Sequence, residues 1–390
     1  MTRPLNILTL STLFPNAQTP GFGIFVERQT AELNGRPEAN VTVINPVGLP
    51  PWPLNLLPRY RQLKVLPSHE IWNGLKVFRP QFSLIPGLGG SRNPDRIFHA
   101  ILPLVRQLHA ESGFDLVDAE FFYPDGPVAM RISEMLDIPF TVKARGADIH
   151  YWGAQSGCKE QITKAAEQAA GLLAVSEALR DDMVKLGMDR SRIEVHYTGL
   201  DQNKFRPVDR AAVKSKIGVS GPLFITTGAL IARKNQALVI EAMTSFPEAT
   251  LLLAGHGEKE ASYRKLAARL GVAERIRFLG SLSHDALAGL VAAADISILV
   301  SKSEGLANAW VEALSCGTPI IISEAGGARE LLRSPAAGRI VGESPEEISE
   351  AIMSILANPP AQETVRSAVA GFSWQTNGDQ LIRLFTNLAK

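Results

Sequence analysis

Two carboxylates, Glu304 and Glu312, flank a point at which the chain turns from a strand into a helix. The largely apolar run 295–300 predicts a buried parallel strand, and residues at helical spacing follow from Ala309 onward. In an open α/β sheet, ligands bind beyond the carboxyl ends of the strands, and the N–H groups that begin the next helix are donors for anions. Carboxylates also accept hydrogen bonds from sugar hydroxyls. The segment therefore predicts a site for a polyhydroxylated, phosphate-bearing ligand, with backbone donors at Leu306, Ala307 and Asn308.

This arrangement resembles the Glu-x7-Glu motif of glycosyltransferase family 4, the retaining sugar-nucleotide transferases of GT-B architecture. The resemblance implies that Glu304 contacts the hydroxyls of the donor sugar during catalysis and that Glu312 holds the nucleotide ribose. Two solvated acids beside a helix are the alternative, since Glu pairs at this spacing are common. The run from Gly317 to Ser323 and the Gly326-Gly327 pair strengthen the resemblance.

A strand-to-helix turn within 227–242 carries two adjacent cations, Arg233 and Lys234. The turn resembles the Gly-Arg-Leu-x-x-x-Lys-Gly element of the same family, which implies that the Lys234 ammonium neutralises the departing diphosphate of the donor. The arginine of that element is Ala229 here, and its glycine is Asn235. Either Arg233 supplies the second positive charge from another direction, or the diphosphate is bound more weakly than usual. An ordinary exposed Arg–Lys pair is the remaining alternative.

A second turn, which contains Gly21 and Gly23, opens a helix after the first predicted strand. Missing side chains let a ligand approach the backbone, and the helix start supplies N–H donors for a phosphate. The spacing is not the dinucleotide-binding Gly-x-Gly-x-x-Gly, because Val26 stands at its third position, and no acid lies about twenty residues further on. An NAD enzyme is therefore disfavoured. The family resemblance implies a loop near the donor diphosphate, and a plain loop is the alternative.

The amino-terminal half departs further from the family. Many relatives carry a His-Gly-x-Asp turn near the acceptor, whereas this chain has Arg145 and Asp148 in that turn, and Glu120 replaces a histidine. A guanidinium stays protonated and cannot act as a base. We predict that Arg145, with Asp148, takes part in catalysis by binding a phosphate or carboxylate of the donor sugar or acceptor. A salt bridge from Arg145 to Asp148 or Glu120 is the alternative, and His150 is a weaker candidate base.

Composition limits the function classes. A length of 390 residues predicts two domains, and the net charge of +1 argues against a nucleic-acid partner. Cys158 and Cys316 match no metal or disulfide pattern, which indicates a reducing compartment. The chain start lacks a secretory cleavage pattern, and no apolar stretch approaches the ~20 residues that a membrane helix needs. We therefore expect a cytoplasmic protein, at most peripheral at the inner face of the cytoplasmic membrane.

Strand-like and helical runs alternate throughout the chain, which predicts an α/β fold with parallel sheets. The alternation restarts near Pro222, so we predict two Rossmann-like domains whose sheets face each other across a cleft, as in GT-B enzymes. The first, on the acceptor side, covers 1–203 and is completed by a crossover helix at 373–390. The second, 204–372, binds the nucleotide sugar.

Residues 47–66 mix apolar and aromatic side chains with basic ones and contain no acid. Trp52 and Tyr60 stand beside Arg59, Arg61 and Lys64 in this segment. A membrane surface attracts such a combination. The segment therefore predicts contact with a membrane, and a loop packed on its own domain is the alternative.

Together these features predict a retaining, metal-independent glycosyltransferase without a cofactor. We expect its donor to be a nucleotide-diphosphate sugar, specifically a UDP-hexose, and its acceptor to be a lipid-linked or saccharide molecule of cell-envelope polysaccharide or glycolipid synthesis. Two alternatives keep the fold: a sugar-nucleotide epimerase or hydrolase, and a binding protein that has lost catalysis along with the arginine at Ala229 and the histidine at Arg145.

Overall fold

The structure is a computed structural model that describes residues 3–87 and 90–389, and its chain divides into two compact units. The described parts of Met1–Gly199 and Trp374–Lys390 form the first unit, and Leu200–Ser373 form the second. Each unit contains a largely parallel sheet and the helices that connect its strands. The predicted α/β class is confirmed.

The described residues of the first unit form ten strands: β1 (Leu5–Leu10), β2 (Ala39–Ile44), β3 (Val47–Leu49), β4 (His69–Trp72), β5 (Leu75–Phe78), β6 (Gln81–Ser83), β7 (Leu116–Ala119), β8 (Phe140–Ala144), β9 (Gly171–Ala174) and β10 (Ile193–Val195). Eight of them form one sheet in the order β10-β9-β8-β7-β1-β2-β5-β4, in which only β4 and β5 pair antiparallel. Strands β3 and β6 form a separate parallel pair. The order reverses between β1 and β7, so loops after these strands flank a ligand-binding position of open sheets.

In the described part of the first unit, seven α-helices precede the second unit: α1 (Ile24–Asn34), α2 (Pro58–Lys64), α3 (Asn93–Ser112), α4 (Asp125–Leu136), α5 (Ala147–His150), α6 (Lys159–Gln168) and α7 (Glu177–Lys185). Strands β7 and β8 are wholly buried and β9 is nearly so, because helices cover this part of the sheet. One core cluster packs β7 and β8 against α3, α4 and α6. A second packs β1 and β2 against α1.

The second unit has six strands, all pairing in parallel: β11 (Leu223–Thr227), β12 (Thr250–Ala254), β13 (Ile276–Gly280), β14 (Ile296–Leu299), β15 (Ile320–Ser323) and β16 (Gly338–Val341). Eight α-helices accompany them: α8 (Arg210–Lys216) before the first strand, α9 (Gln236–Ala242), α10 (Glu260–Arg269), α11 (His284–Ala293), α12 (Asn308–Ser315) and α13 (Ala328–Leu331) between successive strands, and α14 (Pro345–Ala357) and α15 (Gln362–Arg366) after the last. The sheet order is β13-β12-β11-β14-β15-β16. It reverses between β11 and β14, which makes the loops after these strands the expected ligand position.

The last helix, α16 (Trp374–Leu388), belongs to the first unit. Its apolar face buries Leu381 and Phe385 in the core that also contains β1 and α1. Arg36, just after α1, lies 2.6 Å from the Asp379 carboxylate. This helix is the one that the sequence predicts as a crossover back to the first domain.

Among the described residues, no helix has both the length and the apolar character needed to cross a membrane.

Candidate functional site

In the second unit, Lys234 and Glu304 meet at the position where the strand order reverses. Lys234 lies in the turn after β11, and Glu304 lies in the loop after the neighbouring strand β14. The Lys234 Nζ is 2.5 Å from Glu304 Oε1, and the two side chains are only 13% and 10% exposed. Burial limits screening by water, so each charge strongly orients the other. The structure thus joins two residues that the sequence predicts for one site.

Arg233 approaches the same carboxylate from its other oxygen. Its Nη1 is 3.5 Å from Glu304 Oε2 and donates a hydrogen bond to the Ser303 carbonyl. The Lys302 N–H in turn donates to the Arg233 carbonyl at 2.8 Å, which ties the two loops together. Unlike Lys234, the Arg233 side chain is half-exposed. Two cations therefore converge on Glu304, and one of them retains access to solvent.

The backbone after Glu304 is fixed by a close approach of the turn that follows β15. Gly326 has φ +50°, and a Cβ at this position would lie 2.3 Å from both the Glu304 and Gly305 carbonyl oxygens. The Gly327 N–H donates to the Gly305 carbonyl at 2.8 Å. A side chain at 326 would displace this loop, so glycine is required here. The Gly326-Gly327 pair that the sequence singles out thus positions Glu304.

Glu312 lies in the second turn of α12 and is largely buried. His284, at the start of α11, places its Nδ1 3.9 Å from Glu312 Oε1. Leu306 and Ala307 directly precede α12, which begins at Asn308. The first N–H groups of any helix lack acceptors within that helix, so this start supplies donors beside the Glu304 loop. The predicted positions for sugar, ribose and backbone contacts thus lie on one continuous segment.

In the first unit, the predicted glycine turn precedes α1 as expected. Gly23 is the residue before the helix and has φ +70°. A Cβ there would lie 2.5 Å from the Leu13 carbonyl carbon, so the turn packs directly on the backbone that follows β1. Gly21, by contrast, has open space around the position of a Cβ. Gly23 is therefore required by packing, whereas Gly21 leaves room for a ligand.

Arg145 follows β8 and forms an ion pair with Glu120, which follows β7. Its Nε also donates to the Glu120 carbonyl at 2.8 Å, and its guanidinium lies 4.7 Å from the Phe25 ring centroid. The Arg145 side chain is only 6% exposed. Of the two interpretations open from the sequence, these contacts favour the salt bridge with Glu120. Anion binding by Arg145 stays a prediction.

Asp148 has no exposed surface, and its carboxylate accepts hydrogen bonds from backbone N–H groups. The donors are Arg145, Gly146, Ile149 and Phe122, at 2.7–3.2 Å. Burial nevertheless raises the pKa of Asp148 against the effect of these donors. The contacts give Asp148 a role in holding the loop that carries Arg145. His150 pairs instead with Asp182, with Nε2 at 2.9 Å from the carboxylate.

Behind Arg145 lies a buried network of polar side chains that the sequence does not predict. The Lys143 Nζ donates to Gln29 Oε1 at 2.6 Å and lies 3.5 Å from Glu120 Oε1, to which Gln29 also donates. Burial acts to raise the pKa of Glu120, but Lys143 and Arg145 outweigh it and lower that pKa to about 2. Burial lowers the pKa of Lys143 to about 8. The only signal in the sequence was one charged residue in the otherwise uncharged strand 140–144.

Comparison with known sequences finds two family models. Residues 66–204 match the model described as Glycosyltransferase Family 4, and residues 208–370 match the model described as Glycosyl transferases group 1. The two matches correspond to the amino-terminal and carboxyl-terminal parts of the chain. Together they cover most of its length.

Similar curated proteins also match. One of them is TuaC of Bacillus subtilis (strain 168), whose name describes a teichuronic acid biosynthesis glycosyltransferase. It is 27% identical over 357 residues, which cover 89% of this chain and 88% of TuaC. A GDP-mannose-dependent monoacylated alpha-(1-6)-phosphatidylinositol monomannoside mannosyltransferase of Corynebacterium glutamicum is 28% identical, over 60% of this chain and 66% of its own.

Among solved structures, HepE of Anabaena in complex with UDP-glucose aligns with a TM-score of 0.75 and 19% sequence identity. The alignment covers 98% of this chain and 100% of HepE. At this identity the likeness establishes the fold, which is the predicted GT-B architecture of two Rossmann-like domains.

Proposed function

The chain is a glycosyltransferase of family 4, and on this premise we propose that it transfers a hexose from a UDP-sugar, with retention of anomeric configuration and without a metal ion. The observation that carries the proposal is the pairing of Lys234 with Glu304 at the point of strand-order reversal. At that point a cation suited to a diphosphate is hydrogen-bonded to a carboxylate that can accept hydrogen bonds from sugar hydroxyls. A sugar nucleotide needs both.

In the proposed reaction, the bond between the sugar anomeric carbon and the diphosphate oxygen breaks while an acceptor hydroxyl attacks from the same face. The leaving phosphate takes the proton of that hydroxyl, so no protein base is needed. Charge develops on the departing diphosphate, and Lys234 stabilises it electrostatically from a preorganised position. Arg233, half-exposed beside it, supplies a second positive charge in place of the family arginine that Ala229 replaces. Glu304 orients the sugar through its hydroxyls, and Glu312 holds the ribose.

The choice of UDP is supported by HepE, which was solved with UDP-glucose and shares the fold of this chain over 98% of its length. The GDP-mannose-dependent relative is 28% identical over 60% of this chain, so GDP-sugars are the competing donors in the test. For the acceptor, the names of TuaC and of the mannosyltransferase describe an envelope polysaccharide and a glycolipid. We therefore propose a lipid-linked or glycan acceptor in cell-envelope synthesis, used at the cytoplasmic face of the membrane where nucleotide sugars are available.

The test is nucleotide release from a panel of UDP-, GDP- and ADP-sugars, with EDTA present and with or without a membrane lipid extract. The proposal predicts release from one UDP-sugar that increases with the extract. Release from a GDP- or ADP-sugar alone would overturn the choice of UDP, and loss of release on EDTA treatment would overturn metal independence. Rapid release without any acceptor would favour a hydrolase, and nucleotide binding without release would favour a silent binding protein.

A further inference from the structure

Residues 47–66 expose large apolar side chains to solvent. Of the ten large hydrophobic side chains that are exposed in the described parts of the chain, five lie in this segment. Their exposed fractions are 76% for Trp52, 43% for Leu54, 53% for Leu56, 43% for Leu57 and 73% for Val65. Scattered single apolar residues on a surface are ordinary, but such a concentration in one short segment marks an interaction site.

The segment has a defined backbone, so the exposure does not come from an unfolded loop. Its first residues form β3, which pairs with β6, and its last turn is α2. Tyr60 and Leu66 are buried and anchor the segment to the first unit. The exposed apolar side chains are those that this anchoring leaves on the outer side. The alternative open from the sequence, a loop packed on its own domain, therefore accounts for Tyr60 and Leu66 but not for the exposed apolar side chains.

Positive charge accompanies the apolar side chains. Arg59, Arg61 and Lys64 all lie on α2, are exposed, and form no ion pair with another described residue. No Asp or Glu occurs between residues 39 and 69, although the whole chain has a net charge of only +1. The cations are therefore not neutralised locally. This local excess of positive charge argues against a second copy of the chain as the partner, since a symmetric contact would bring the same three cations together.

We propose that residues 47–66 dock the first unit onto a lipid bilayer that carries anionic headgroups. Trp52 and the leucines enter the boundary between headgroups and acyl chains, where amphipathic aromatic side chains are favoured. Arg59, Arg61 and Lys64 bind the anionic headgroups, an attraction that increases with each cation near the surface. This docking does not depend on the identity of the transferred sugar. It gives the enzyme access to acceptors that remain in the membrane.

The test is cosedimentation of the full chain with vesicles of phosphatidylcholine alone or with about one third phosphatidylglycerol. We expect binding to the anionic vesicles, weaker at 0.5 M salt because salt screens the headgroup attraction. The pair Trp52→Ser and Leu56→Ser, and separately the triple Arg59→Gln, Arg61→Gln and Lys64→Gln, should each weaken binding at least roughly tenfold. Met353→Ser removes an equally exposed apolar side chain from the second unit and should leave binding unchanged.

Trp52 provides a direct reading of insertion depth. Lipids brominated on their acyl chains should quench its fluorescence, and Trp52→Phe should abolish that quenching while vesicle binding persists. All substituted side chains are exposed, so thermal unfolding of the variants should match the parent protein. The dissociation constant of the UDP-sugar should also be unchanged, which separates a failure of docking from a failure of the proposed transferase.

Three results would overturn the proposal. One is equal affinity for neutral and anionic vesicles, or binding to neither. Another is anionic-vesicle binding that both sets of variants retain. The third is concentration-dependent self-association that the segment variants abolish, which would make the surface a contact between copies.

Discussion

Replacing Lys234 by Met removes the ammonium that lies 2.5 Å from Glu304 while keeping most of the side-chain volume. Two unit charges about 4 Å apart interact by roughly 4 kcal/mol at an effective dielectric constant of about 20, a value suited to a partly buried site. The Lys234 side chain is 13% exposed, so little water can replace the lost charge. If about one charge develops on the diphosphate during bond breakage, the barrier rises by up to about 4 kcal/mol. This corresponds to a decrease in kcat of roughly 10²- to 10³-fold.

The assay compares kcat for sugar transfer with the dissociation constant of the UDP-sugar, measured by calorimetry on the same preparations. We expect kcat to decrease at least ten times more than affinity, because the stabilised charge appears mainly in the transition state. Lys302→Met is the matched control, since Lys302 lies on the Glu304 loop but its ammonium faces Glu343 at 3.9 Å. Equal losses in kcat and affinity would refute the reasoning, as would an equal effect of the control.

Three further predictions concern the surrounding structure. Gly326→Ala should lower kcat at least roughly tenfold by displacing the Glu304 loop, whereas Gly289→Ala, whose Cβ meets open space, should leave kcat unchanged; steady-state kinetics of both variants checks this. Burial raises the pKa of Asp125 from 3.8 to about 8, so the folded state retains a proton that the unfolded state loses, and the free energy of unfolding should decrease as pH rises from about 4 to about 8. Asp125→Asn should remove the contribution of Asp125 to that decrease, so that at pH 8 the free energy of unfolding of the variant is at least roughly 1 kcal/mol higher than that of the parent, as measured by urea denaturation. Lys143→Met should destabilise the first unit by about 3 kcal/mol, because the buried Glu120 carboxylate keeps its charge but loses one of its cationic partners. Adding Glu120→Gln to this variant should recover part of that loss, as a double-mutant cycle would measure.

The second unit is well predicted from its sequence because its site is local. Glu304, Glu312 and the start of α12 belong to one continuous segment, and the alternation of apolar runs identifies the strands before it. The approach of Lys234 to Glu304 follows from strand order, since neighbouring parallel strands end at the same edge. What the sequence could not provide is the convergence of Arg233 on the same carboxylate, which depends on side-chain direction.

The first unit is less predictable because its polar groups come from distant positions. Gln29, Glu120 and Lys143 meet only after α1, β7 and β8 are packed together. No spacing rule connects positions that are separated by about a hundred residues, and a single polar residue in a helix such as Gln29 is not distinctive. The sequence offered Arg145 both as an anion ligand and as a salt-bridge partner, and only the placement of Glu120 in the fold favours the second.

The central claim is sugar transfer from a nucleotide donor to a membrane-borne acceptor, and following the sugar itself tests it most directly. The protein is incubated with a UDP-hexose radiolabelled in the sugar, together with membrane lipid extract and EDTA, and the label is partitioned between organic solvent and water. The account predicts label in the organic phase, formed together with UDP and strongly reduced by Lys234→Met. The account would be contradicted if, for every UDP-hexose tested and also with added glycan acceptors, the label were recovered only as free sugar, as an epimerised nucleotide sugar or as intact donor.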